Sequence, residues 1–170
     1  MRIYKIFIAF ILLFGNEFAF SQEKISVLID SLAQVSAPAE KSRLSLKVAS
    51  ALANNDWERT RYYIDVAKEN ATEANSPKVL ADFHTTVGGI YSDKDALDIA
   101  LENYLKAYEF YENQVPSEKF KLENGLAIVY ARTGNEEKAL QFFKKVYQYQ
   151  QTRNDTLNLA SILNNIGRIW

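Results

Sequence analysis

The chain has 170 residues, 48% of them apolar and 24% charged, a composition that excludes wholesale disorder. Its 20 basic and 21 acidic side chains leave a net charge of −1, which gives no electrostatic footprint for nucleic acid. The absence of cysteine excludes disulfides, thiol chemistry and cysteine metal sites, and a lone histidine, His84, excludes multi-histidine metal sites. No metal and no cofactor is expected.

Residues 1–21 read as an export signal. Arg2 and Lys5 open the chain, and Ile6 to Phe14 form an unbroken apolar run that Gly15, Asn16 and Glu17 interrupt. A membrane span needs about 20 apolar residues, so this run is too short and fits the core of a secretory signal instead. Ala19 and Ser21 are small residues at the −3 and −1 positions of a cleavage site before Gln22. An uncleaved anchor that includes Phe18 and Phe20 is the alternative. Cleavage would remove Arg2, Lys5 and Glu17 and leave a net charge of −2. The expected location is exported, in the periplasm or cell envelope.

Residues 22–37 follow as a short leading helix with Ile25, Leu28, Ile29, Leu32 and Val35 on one stripe. From there the sequence repeats. Its three prolines, Pro38, Pro77 and Pro116, are 39 residues apart, and Asp155 continues the series. Proline suits the first turn of a helix and is excluded from the interior. Ser36 and Ser76 precede two of the prolines as possible caps. Gly88, Ala127 and Gly167 recur in phase, as do Tyr91, Tyr130 and Trp170; Thr60, Ala100 and Ala139; and Ile64, Tyr104 and Phe143. The units run over about 38–76, 77–115 and 116–154, with an incomplete one at 155–170. A stride of this length implies stacked supersecondary units.

Each unit reads as two helices. The first has Leu44, Val48, Ala51 and Leu52, a turn at Asn54 to Asp56, then Thr60, Ile64 and Ala67. The second has Leu80, Phe83, Val87, Ile90 and Tyr91, a turn at Ser92 to Asp95, then Ala96, Ile99, Ala100, Tyr104 and Ala107. The third has Leu122, Leu126, Val129 and Tyr130, a turn at Thr133 to Asn135 with Gly134 placed for positive φ, then Ala139, Leu140, Phe143 and Val146. Leu159, Ile162, Leu163, Ile166 and Trp170 form the stripe of the last helix. No alternating run is long enough for a strand. The small residues are placed to let backbones approach closely, with the aromatics filling the gaps.

These columns resemble the tetratricopeptide repeat (TPR), in which Gly or Ala is followed three residues later by Tyr, nine later by Ala and four later by an aromatic. Gly88, Tyr91, Ala100 and Tyr104 meet that spacing, as do Ala127, Tyr130, Ala139 and Phe143. Two departures stand out: His84 and Glu123 occupy the early tryptophan column, and the stride is 39–40 rather than the 34 of the minimal repeat. The resemblance implies an all-α fold, a right-handed α-solenoid of antiparallel helix pairs with about three and a half repeats. The longer stride is similar to that of exported TPR regions at the N-termini of bacterial sensor histidine kinases and LuxR-type regulators. That implies the sensory or scaffolding part of a larger signal-transduction protein, reaching a membrane only through a downstream segment. The bare stripe that ends on Trp170 is expected to need a continuation, or else a dimer partner. A stand-alone exported adaptor for envelope assembly is the alternative function.

No catalytic constellation is legible. Gly88-Gly89 lacks the Lys and Ser/Thr of a phosphate-binding loop. His84 has no placed serine or acid for a triad and no phosphoacceptor context. Glu136-Glu137 opens a helix, where negative charge is favourable. Tyr62, Tyr63, Tyr108, Tyr111, Tyr147 and Tyr149 are expected partly in solvent. In the TPR arrangement the first helices of successive units line a concave groove. The columns facing it carry Thr85, Asn124 and Asn164, with Lys121, Arg132, Asn165 and Arg168 nearby. Such residues suit a bound protein or peptide, through its backbone or a carboxylate. Gly89 and Ile128 stand where a carboxylate-tail clamp would want Asn.

Overall fold

The computed structural model describes residues 22–111, 116–153 and 156–169, and the side chains of all of these except 116–119 and 156–158. The predicted signal, its cleavage junction at Ser21, Asp155 and Trp170 lie outside the described residues. Every element among the described residues is a helix: α1 (22–34), α2 (Pro38–Leu52), α3 (Trp57–Glu73), α4 (Pro77–Asp93), α5 (Leu97–Tyr111), α6 (Pro116–Arg132), α7 (Glu136–Thr152) and α8 (Thr156–Gly167). The chain forms two compact units, divided after Asn70.

Local chemistry sets the helix ends. Pro38, Pro77 and Pro116 each open a helix, where the missing N–H costs nothing and the fixed φ is already helical. Ser76 stands at the N-cap of α4 in extended conformation, but its side chain makes no capping bond; the α2 N-cap is Ala37, one residue after Ser36. The caps that work are turn residues. Asp56 Oδ1 accepts from the Arg59 N–H at 3.0 Å, and Asn135 Oδ1 accepts from the Lys138 N–H at 3.3 Å. The α4–α5 and α6–α7 turns close alike: Ala96 N–H donates to the Tyr91 carbonyl at 3.0 Å, and Asn135 N–H to the Tyr130 carbonyl at 2.8 Å. Both turns need one left-handed residue. Gly134 supplies it at φ 77° as the sequence suggests, whereas Asp95 supplies it at φ 61° with a full side chain.

In the first unit, Ile25 of α1, Val48 and Leu52 of α2 and the flanking Leu28, Ile29 and Tyr63 form a small core. Ser42 and Ser45 of α2 are also buried, and their hydroxyls have no hydrogen-bond partner among the described residues. In the second unit each helix packs on the next, from α4 to α8, and α4 also meets α6. Ala100, Tyr104, Leu122, Leu126, Ala127, Val129, Ala139, Phe143, Val146 and Ile162 belong to its core.

Burial recurs at the spacings read from the sequence. Thr60, Ala100 and Ala139 are each 0% exposed, and Ile64, Tyr104 and Phe143 are buried in the same rhythm. Gly88 shows why its column is small: a Cβ there would lie 2.7 Å from Cδ1 of Tyr104. Gly125, which stands off the repeat columns, serves the same ring; a Cβ there would lie 2.4 Å from Tyr104 Cζ. Four expectations need correction. Gly167 is exposed and a Cβ there would meet nothing within 4 Å, so that column makes no close approach at its third position. Ala51 is exposed on α2, off the buried face that carries Val48 and Leu52. Ile99 lies on the solvent side of α5, 44% exposed, because the buried face runs through Ala100, Tyr104 and Ala107. Tyr111 is buried rather than half in solvent, because its ring packs in the core of the second unit while its hydroxyl donates to the exposed Asp82 carboxylate of α4.

Candidate functional site

The second unit contains a cleft of about 410 Å³ among the C-terminal ends of α6 and α8 and the start of α7. Ile128, Ala131 and Arg132 come from α6, Glu136 and Phe143 from α7, and Asn165, Arg168 and Ile169 from α8 and the turn after it. The helical period builds this lining. Ile128, Ala131 and Arg132 are three and four apart on one face of α6, and Asn165, Arg168 and Ile169 repeat that spacing at the end of α8. Phe143 is buried beneath them, and Ile128 and Ile169 are half-buried walls. The result is an open cleft in which apolar side chains and converging polar groups share the lining.

Its charged groups are in different states. Arg132 is committed: its Nη1 donates to the Ser92 carbonyl and its Nη2 to Asp95 Oδ1, both at 2.7 Å. It thereby ties the end of α6 to the α4–α5 turn and to the left-handed Asp95. Arg168 has no ion-pair partner among the described residues and is exposed at the cleft mouth. Glu136 lies in the first turn of α7, where the helix dipole favours its charge.

Of the groove residues named from the sequence, Arg132, Asn165 and Arg168 therefore meet in one cleft. The other four do not line it. Thr85 is half-buried on α4 and donates its hydroxyl to the Ala81 carbonyl at 2.9 Å. Lys121 is exposed on α6, Asn124 is half-buried there, and Asn164 is exposed on α8. Ala131, Glu136, Phe143 and Ile169 also line the cleft, and the groove columns do not include them. Glu136 read as a helix-start acid and Phe143 as core; both are true, and only the fold brings those positions to the cleft.

Other polar clusters tie helices together. His84 Nδ1 lies 2.9 Å from Asn103 Oδ1, while Asn103 Nδ2 donates to the Ile99 carbonyl at 2.9 Å. The amide orientation leaves its oxygen toward the ring, so His84 donates and joins α4 to α5. Buried Glu123 is 4.0 Å from Lys145 Nζ, which donates to the Tyr108 hydroxyl at 3.1 Å and stands 4.9 Å over the Phe142 ring. This arrangement links α5, α6 and α7, and sequence spacing alone did not show it. Burial, with the nearby Asp93 charge, pushes the Tyr104 hydroxyl up to about 12. Burial and then the bond to Asp82 push Tyr111 up to about 12 as well. Both phenols therefore stay neutral at physiological pH. A depression in the first unit is lined, among the described residues, by Glu23, Lys24, Val27 and Leu28 of α1. Among the described residues no cluster of His, Cys, Asp and Glu could hold a metal ion, and no helix is long and apolar enough to cross a membrane. No protein-family model, curated protein or solved structure matches the chain.

Proposed function

We propose that this chain is a non-catalytic, TPR-like helical-repeat module that binds a protein or peptide segment in the α6–α7–α8 cleft. In this reading the helices form a right-handed solenoid of antiparallel pairs. The module is exported and serves as the sensory or scaffolding part of a larger bacterial signal-transduction protein. The observation that carries the binding reading is the cleft itself, where apolar side chains share the lining with Asn165 and an uncommitted Arg168. An exposed guanidinium at the rim of an apolar slot suits a carboxylate or peptide carbonyl whose neighbouring side chain fills the slot.

The tie from Arg132 to the α4–α5 turn supplies a route for signalling. A segment lodged between α6 and α8 shifts the end of α6, and Arg132 transmits that shift to Asp95. The test is a chemical-shift titration of isotope-labelled protein with a panel of peptides, free-ended and end-blocked, rich in acidic and apolar residues. Saturable shifts clustered at Ile128, Asn165 and Arg168 support the reading. Shifts scattered over the surface, or none at millimolar peptide, refute it.

A further inference from the structure

The cleft carries two opposite charges that do not pair with each other. Glu136 stands on the α7 side and Arg168 on the α8 side, and among the described residues neither has an ion-pair partner. Arg132, the third charge in the lining, is neutralised by Asp95 at 2.7 Å. Ile128, Phe143 and Ile169 line the same cleft as this pair. A simple anion on Arg168 would leave the Glu136 carboxylate as a repelling wall, and a simple cation on Glu136 would leave Arg168 in the same position. A neutral apolar ligand would satisfy neither. The chemistry that answers both is a zwitterion with an apolar body.

Resting on the peptide-binding reading above, we propose that the cleft selects short peptides with free ends and an apolar side chain. The terminal carboxylate goes to Arg168, the terminal ammonium to Glu136, and the side chain onto Ile128 and Ile169 above Phe143. The volume of about 410 Å³ suits this class, since it falls in the range of small-ligand pockets and leaves no room for a folded partner within the slot. The fork of a guanidinium grips a carboxylate by two parallel bonds, which favours a chain terminus over a backbone carbonyl. Asn165, half-buried beside Arg168, offers both a donor and an acceptor to the single peptide bond of a dipeptide.

The test is calorimetric titration of the full chain with the dipeptide leucyl-phenylalanine in four forms: free, N-acetylated, C-amidated and blocked at both ends. The free form binds tightest, and each block weakens binding by about three- to tenfold, as expected for loss of one charge-assisted contact at a solvent-exposed rim. The acetylation penalty disappears in Glu136→Gln and the amidation penalty in Arg168→Gln. Both substitutions lie at exposed positions, and far-UV circular dichroism checks that the helices are retained. The proposal is overturned if the fully blocked dipeptide binds as well as the free one, or if the two penalties survive in their matching variants. If longer end-blocked peptides bind at the cleft while the free dipeptide does not, the selection for free ends fails and the wider peptide-binding reading stands. If neither binds, both fall.

Discussion

Replacing Gly125 by alanine sets two known effects against each other in one helix. Alanine in a helix interior is intrinsically better than glycine by about 0.5–1 kcal/mol. At this position, however, the new methyl would lie 2.4 Å from Cζ, 2.6 Å from Oη and 2.8 Å from Cε1 of Tyr104. Carbon–carbon contacts relax at about 3.5–4.0 Å, so the ring must retreat by about 1 Å. Toward α4 it is already tight, because Cδ1 and Cε1 fill the space that a side chain at Gly88 would take, at 2.7 and 2.8 Å. Overpacking of this kind costs about 1–3 kcal/mol, and with the retreat blocked the upper half applies. The net expectation is destabilisation by about 1–2 kcal/mol, or a melting temperature lower by roughly 5–10 °C for a unit of this size. Urea denaturation followed by circular dichroism measures it in two backgrounds. In a Tyr104→Leu background the clash is gone, and Gly125→Ala becomes stabilising by about 0.5 kcal/mol. The same sign in both backgrounds, or a more stable Gly125→Ala single variant, refutes the account of Tyr104 as the residue that keeps both positions glycine.

Arg132→Ala removes the bonds to Ser92 and Asp95; it costs about 1 kcal/mol and speeds hydrogen exchange at Lys94, Asp95 and Ala96, while Arg168→Ala stays within about 0.5 kcal/mol of the parent. Equal loss of stability in the two variants would contradict the assignment of one arginine to structure and the other to the rim. Tyr104 and Tyr111 are held near 12 in the folded state against about 10 unfolded, so the unfolded chain binds fewer protons between those values. Stability is therefore unaffected by these groups below pH 10 and falls as pH rises from 10 to 12; absorbance at 295 nm should show two phenols ionising together with loss of helicity rather than before it. Mass spectrometry of the protein expressed in a bacterial host with an intact export pathway should find a mature N-terminus at Gln22, and retention of Met1 would refute the signal reading.

What the sequence revealed and what it hid follow from how far each signal reaches along the chain. Helix starts were legible at Pro38, Pro77 and Pro116 because proline acts on its own turn. Buried columns such as Thr60, Ala100 and Ala139 were legible because a small side chain at fixed stride reports a close neighbour. Gly125 was missed because it stands 37 residues from Gly88 rather than 39 or 40, and the ring both glycines accommodate is long enough to touch two helices at different heights. Ile99 was misplaced because apolar character alone does not distinguish the buried face of a helix from its shoulder; the adjacent Ala100 did. The site was half legible. The groove columns carry Arg132, Asn165 and Arg168, but the commitment of Arg132 to a turn 37 residues away, and the presence of Glu136 in the same lining as Arg168, depend on separate helices meeting.

The two serine hydroxyls enclosed in α2 offer a practical handle. A hydroxyl kept from water without an acceptor costs about 1–3 kcal/mol, and alanine fills nearly the same space without that debt. Ser42→Ala and Ser45→Ala should therefore toughen the N-terminal unit and raise its resistance to proteolysis. Neither residue lines the α6–α7–α8 cleft, so a sturdier scaffold for ligand studies is available without altering the surface those studies address.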